Sequence, residues 1–137
     1  MDRMLEAELA RIIINDASDQ QQIWLREKGG GREFPIIIGL SEAAAIDRFV
    51  KEQHTQRPLT HELMHAVIDA LGGKLQRVEV TQLKDSTFYA NLALVSESGR
   101  EIDVDARTSD AIALAVRTGT PLFVHEDVLE EVARDLS

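Results

Sequence analysis

Three groups of residues in this chain combine types and spacings that could do chemistry. His61-Glu62-Leu63-Met64-His65 spells H-E-x-x-H. On a helix the two histidines fall one turn apart on one face, as a zinc ion requires, and the glutamate is placed to activate a water. Glu101, Asp103 and Asp105 alternate with Ile102 and Val104, so a strand here lines up three carboxylates on one face, with Asp110 close behind. Hard cations such as magnesium and manganese prefer oxygen ligands of this kind, which makes Asp105 and Asp110 the candidate metal ligands. Arg57 and Arg107 each stand just ahead of a predicted helix, where a guanidinium suits forked recognition of phosphate or carboxylate.

Each group has a plainer reading. A catalytic zinc wants a third protein ligand, and His54 and His125 stand in no recognised arrangement with the H-E-x-x-H helix. Leu59, Leu63, Ala66, Val67 and Ala70 form its apolar stripe, which should turn His61 and His65 to the polar side as a solvated pair. Zinc is therefore disfavoured, and a zinc hydrolase ranks last among the functions considered. Glu101 and Asp103 suit a solvent-facing strand. Asp105 and Asp110 flank Arg107, so either could pair with it, and Arg57 could pair with one of the many acids. Gly29-Gly30-Gly31 lacks the GK[ST] or GxGxxG spacing of a phosphate cradle and reads as a hairpin loop. Tyr89 reads as core. One tryptophan, one tyrosine and four phenylalanines are too few for the aromatic interleaving of single-strand binders. There is no nucleophile elbow for a Ser–His–Asp site, and no Walker or Rossmann signature.

The chain's 137 residues suit one domain, 1–137, with an ordinary 44% hydrophobic and 28% charged content. Twenty-four acids against fifteen Lys and Arg give a formal charge of −9, which argues against gripping duplex phosphates by charge alone. The absence of cysteine excludes disulfides and thiolate metal sites and is compatible with the cytoplasm, the expected compartment. MDRMLEAELA does not read as a secretory leader, and no apolar run approaches membrane-spanning length.

The elements that must position these residues follow from periodicity and punctuation. Leu5–Ile14, ending in three isoleucines, predicts a buried strand, and Gln22–Lys28 a second with Ile23 and Leu25 on one face and Trp24 on the other. Phe34–Ile38 predicts a third, at an edge or beginning at Pro35. Ser41 should cap a helix from Glu42 to about Lys51 or Glu52, and Pro58 and Thr60 announce another over roughly His61–Leu71, stopped by Gly72-Gly73. Val78–Leu83 and Thr87–Val95 form a hairpin through Lys84-Asp85-Ser86. After the Glu101–Asp105 strand, Thr108 or Ser109 should cap a helix whose Ala111–Val116 segment is apolar all round and hence buried, with Asp110 near its positive end and Gly119 and Pro121 as its stop. A short strand to Val124 and an acidic helix, Glu126–Leu136, close the chain. Strands in runs with helices between them predict an α+β fold with a mixed sheet and about four helices.

Four segments in order then carry a resemblance over nearly the whole chain, from about Ala7 to Val132. They are Gly39-Leu40-Ser41-Glu42-Ala43 with Ala45-Ile46, Arg57-Pro58-Leu59-Thr60-His61-Glu62-Leu63, Asp85-Ser86-Thr87-Phe88-Tyr89-Ala90, and Asp105-Ala106-Arg107-Thr108-Ser109-Asp110-Ala111-Ile112-Ala113-Leu114-Ala115. Together they resemble the bifunctional nuclease domain family. The resemblance implies an α+β fold, homo-oligomerisation with a dimer as the simplest form, and RNA or DNA as substrate, since plant members degrade both; no membrane partner is expected, because no apolar run is long enough to span a bilayer. Its motif positions here are Arg57, Thr60, His61, Asp105, Arg107, Ser109 and Asp110. Thr108 stands where the family usually has proline, and His65 is not a motif position.

The leading expectation is a nuclease-family domain with metal-assisted hydrolysis of phosphodiester bonds. His61, Asp105 and Asp110 would be catalytic, with His61 moving a proton and Asp105 and Asp110 holding magnesium or manganese or orienting water. Arg57, Arg107 and Ser109 would bind substrate. The alternative is a non-catalytic oligomeric scaffold that recognises a small anion or a partner protein. Both depend on the helix starts after Arg57 and Arg107 meeting in space.

Overall fold

A computed structural model describes residues 3–15, 17–53, 57 and 59–136. Pro58 and His54, the latter weighed above as a zinc ligand, lie outside the described residues. The elements are β1 (Met4–Ile13), β2 (Gln20–Glu27), β3 (Glu33–Gly39), α1 (Leu40–Val50), α2 (Thr60–Ala70), β4 (Lys74–Lys84), β5 (Thr87–Val95), β6 (Glu101–Arg107), α3 (Thr108–Thr118), β7 (Leu122–His125) and α4 (Glu126–Leu136). Their order is the predicted one, and the architecture is α+β. One seven-stranded sheet runs β3-β2-β1-β7-β4-β5-β6. It is mixed because β7 returns from α3 to lie parallel to β4, while it pairs antiparallel with β1. Among the described residues no helix is long and apolar enough to cross a membrane.

Turn chemistry sets the hairpins. Asp85 and Ser86 both take positive φ, 51° and 63°, the backbone twist a two-residue hairpin demands. Gly29 and Gly31 at φ 80° and 78° let β2 fold back onto β3, which is an edge strand and so tolerates Pro35. Gly119, at φ 69°, ends α3 in the left-handed conformation.

The sheet curls strongly. Phe34 on β3 stacks on Phe88 of β5, ring centroids 5.7 Å apart, although four strands separate β3 from β5 in the sheet order. Into the resulting hollow goes α3. Ala111, Ile112, Ala113, Leu114 and Ala115 are each at most 5% exposed, the all-round burial its composition predicts. They join Val78 and Val80 of β4, Ala90 and Leu92 of β5, Leu25 of β2 and Ile46 of α1 in a single core. α1 and α2 pack beside α3, and Arg117 in the last turn of α3 reaches Glu62 in the first turn of α2 at 3.4 Å and lies over the Phe49 ring of α1.

Three local expectations are corrected, besides that of Tyr89, which is 42% exposed rather than core. The isoleucine run at the end of β1 is not uniformly buried: Ile12 packs on the core, but Ile13 and Ile14 are 46% and 37% exposed, because alternation turns Ile13 outward and Ile14 lies beyond the end of the strand. Ser41 does not cap α1, nor Thr108 or Ser109 α3; Gly39 and Arg107 occupy the cap positions, and neither helix start has a side-chain cap. Both strands run straight into their helices, leaving no turn residue in which a cap could sit.

The third correction concerns α2, which is rotated from the predicted setting. His61 is buried, and Met64 and Ile68 pack on the core, whereas Leu59, Leu63, Val67 and Leu71 are 39%, 55%, 49% and 75% exposed. The helix is apolar on two sides, and packing against α3 selects the side carrying His61. Truncating Ile112 to alanine should therefore cost roughly 2–5 kcal/mol in urea unfolding, whereas Leu63→Ala should cost less than about 0.5 kcal/mol. Equal costs would mean that the Leu63 face is the packed one.

Candidate functional site

Three helices begin at one place. α1 starts where β3 ends and α3 where β6 ends, and α2 brings its first turn alongside. Ser41, Glu42, Thr60, His61 and Asp110 from these first turns line a cleft of about 340 Å³, together with Arg107 from the end of β6 and Arg48 from α1. Helix N-termini present backbone N–H groups and the positive ends of their dipoles, so three of them favour an anion.

A linear chain of polar contacts crosses this junction. His61 Nε2 lies 3.0 Å from Asp110 Oδ1. Arg107 Nε donates to Asp110 Oδ2 at 3.0 Å, and Arg107 Nη2 donates to Glu42 Oε1 at 2.9 Å. With a carboxylate oxygen facing Nε2, the neutral imidazole carries its proton there and leaves Nδ1 as the basic nitrogen. Burial pushes the Asp110 carboxyl up, but the hydrogen bonds from Arg107 and His61 outweigh it and hold Asp110 below its ordinary range. The same contacts from Asp110 and then Glu42 raise Arg107. Asp110 thus stays an anion that orients its two partners. Gly39 matters here, because a Cβ at that position would stand 2.5 Å from a carboxylate oxygen of Glu42.

The candidate residues divide. His61, Asp110 and Arg107 are brought together. Ser109, half-buried, lies beyond Arg107 and lines an adjoining groove. Arg57 is exposed just ahead of α2, and the four-member chain is complete without it. Asp105 is elsewhere. It pairs in register with Asn91, while its neighbour Ala106 pairs with the core residue Ala90. Alternation therefore turns Asp105 to the sheet face away from α3. It is exposed and forms no salt bridge among the described residues.

The pairing of Asp105 with Asp110 as cation ligands thus has no geometric basis, and both Asp110 oxygens are taken by donors. Among the described residues no group of three or more His, Asp or Glu is placed to hold a metal. The H-E-x-x-H pair is likewise split. His61 turns inward to Asp110, while His65 faces Asp69 at 3.5 Å on the helix exterior. The described residues do not fit a metal centre.

Two lining residues were not singled out from sequence, Glu42 and Arg48. They lie six positions apart with Ala45 between, a spacing that puts all three on one face of α1, so the helical period held the signal. Arg48 forms no salt bridge among the described residues.

Fold and cleft together define an α+β domain with a carboxylate-oriented histidine and two arginines at a shared helix-start junction. The chain belongs to the bifunctional nuclease domain family, which matches residues 23–137. It is 41% identical to an uncharacterized protein of Mycobacterium tuberculosis, over 93% of this chain and 76% of that protein. It is 29% identical to Bifunctional nuclease 2 of Oryza sativa subsp. japonica over 84% of this chain, and 28% identical to Bifunctional nuclease 1 of Arabidopsis thaliana over 73%. It covers 36% and 31% of those plant proteins.

The lowered Asp110 has a consequence for acid stability. A carboxyl depressed in the folded state stabilises it above the unfolded value, about 3.9, and that contribution is lost as pH falls through the folded value. Thermal melting should show wild type above Asp110→Asn at pH 6, with the gap closing below about pH 4. A gap that persists unchanged to pH 3 would mean that Asp110 is not the titrating group.

Proposed function

We propose that this domain hydrolyses phosphodiester bonds of RNA or DNA in the cleft where α1, α2 and α3 begin. The observation that carries the reading is the His61–Asp110 contact at 3.0 Å beside Arg107 and Arg48. Nδ1 of His61 accepts a proton from water, the water oxygen adds to phosphorus, and the P–O bond to the leaving alkoxide breaks, the alkoxide taking a proton from solvent. Arg107, held by Asp110 and Glu42, and Arg48 face the charge that grows on the phosphoryl oxygens. The names of the plant relatives support the substrate class. Because the carboxylates do not fit a cation site, no step runs through magnesium or manganese.

The test is cleavage of single-stranded RNA and DNA by purified protein with EDTA, magnesium or manganese. Activity should survive EDTA, His61→Ala should lower the rate by roughly 10²–10⁴-fold, and Asp105→Asn should leave it unchanged. Cleavage that requires manganese and vanishes in Asp105→Asn would restore the metal-pair mechanism. A protein that binds oligonucleotide without cutting it would support the scaffold alternative.

Self-association is proposed on a separate observation. Leu59, Leu63, Val67 and Leu71 recur every fourth residue as an exposed apolar ridge on α2. A twofold axis across such a ridge sets it against itself, so a second copy of this chain covers it in an isologous contact. Sedimentation should show a dimer, and Leu63→Lys with Val67→Lys a monomer that melts at an unchanged temperature once dilution has separated wild type. A monomeric wild type at high concentration would remove the proposal.

A further inference from the structure

Beyond Arg107 and Glu42 the cleft continues into a second groove of about 520 Å³, between the free edge of β3 and the start of α3. Its two walls differ in kind. One is apolar, with Pro35, Ile37 and Phe88, and Ile37 is 53% exposed. The other is made of Arg107, Thr108 and Ser109 at the uncapped first turn of α3, an eleven-residue helix.

Thr108 is the anomaly there. It is only 5% exposed, yet its hydroxyl oxygen is buried and has no hydrogen-bond partner among the described residues. An orphaned buried hydroxyl costs stability unless something completes it. Here the hydroxyl is one more donor beside the first-turn amides. Asp110 directs its oxygens to His61 and Arg107 rather than to those amides.

We propose that this groove binds a nucleotide, its phosphate at Thr108 and Ser109 on the start of α3 and its base against Pro35, Ile37 and Phe88. Resting on the nuclease reading above, it holds the unit next to the one cleaved, and Arg107 stands between the two phosphates. A groove walled by a strand edge and a helix start accepts a single strand rather than a duplex, whose bases are stacked away from such a wall. An added peptide strand suits it less, because Pro35 removes a donor from the β3 edge. Glu42 and Asp19 also face the groove. Glu42 is paired with Arg107, which it shares with Asp110, and Asp19 is at the exposed end of the turn before β2.

Calorimetric titration with a nucleoside 5′-monophosphate, with inorganic phosphate and with the unphosphorylated nucleoside tests this without relying on cleavage. The nucleotide should bind more tightly than either part. Thr108→Val, close in shape, should weaken it about tenfold by removing one donor to a charged group. The same variant should melt at or above the wild-type temperature, because an unsatisfied hydroxyl is gone. Ile37→Asp, at an exposed position, should weaken nucleotide binding while leaving the melting temperature unchanged. Undiminished nucleotide binding by Thr108→Val, or a lowered melting temperature showing that the hydroxyl is already bonded within the fold, would overturn the proposal. So would tighter binding of an extended peptide than of the nucleotide. Nucleotide binding that responds to both variants in a protein that cuts no nucleic acid would keep the groove and overturn the hydrolytic reading. Cleavage with no response to either variant would do the reverse.

Discussion

The contact between His61 and Asp110 is the constraint on which the site depends. It joins the first turn of α2 to the first turn of α3, two helices forty-nine residues apart in sequence at these positions. A buried imidazole needs a partner, and a half-buried carboxylate needs donors; each satisfies the other. Once that pair is fixed, α2 has no freedom to turn its leucine ridge inward. The rotation of α2, the exposure of Leu63 and Val67, and the burial of His61 are one choice seen from three sides. Arg107 then extends the pair to Glu42 and ties in α1, so the three helix starts are cross-linked by side chains rather than capped one by one.

Direct strand-to-helix passages make that junction possible. Gly39 and Arg107 both hold extended backbone, φ −76° and −63° with ψ 164° and 141°, and the next residue is already helical. A conventional capping turn would occupy the first-turn amides with a serine or threonine oxygen. Omitting it leaves the amides of α1 and α3 to face the two grooves. The acids at the third helical positions, Glu42 and Asp110, lie where the dipole favours them but spend their oxygens on side chains. A protein of net charge −9 can thus present a local surface suited to an anion, because backbone dipoles contribute nothing to formal charge.

Much of this was legible from the sequence. Element order, the all-round burial of Ala111–Ala115, the Asp85-Ser86 hairpin and the Gly119 stop follow from periodicity and turn chemistry, which are local. The meeting of the helix starts after Arg57 and Arg107 was an inference from charge placement, and His61 and Asp110 do meet. What failed needed non-local information. The facing of α2 could not be read from its apolar stripe, since Met64 and Ile68 make a second stripe and only the fit against α3 decides between them. Asp105 was grouped with Asp110 by nearness in sequence, yet five residues that include the end of a strand and the start of a helix can carry two side chains to opposite sides of a sheet. The orphaned hydroxyl of Thr108 is invisible in sequence altogether, because burial without a partner is a property of the assembled core.

The same geometry supports the proposed choice of an anion over a cation. In the cleft Glu42 and Asp110 are matched by Arg107 and Arg48, so the formal side-chain charge is balanced before the histidine is counted. Three helix N-termini then add roughly half a positive charge each at their ends, which tips the local potential positive. A divalent cation would have to displace Arg107 from Asp110 and enter against that potential. A phosphate meets no such cost: it can engage the outer face of Arg107, whose side chain is 69% exposed, while the inner contacts to Asp110 and Glu42 stay in place. The acids therefore act as positioning groups for the cationic ones, and the proposed preference for phosphate rests on how the helices begin rather than on an excess of basic residues.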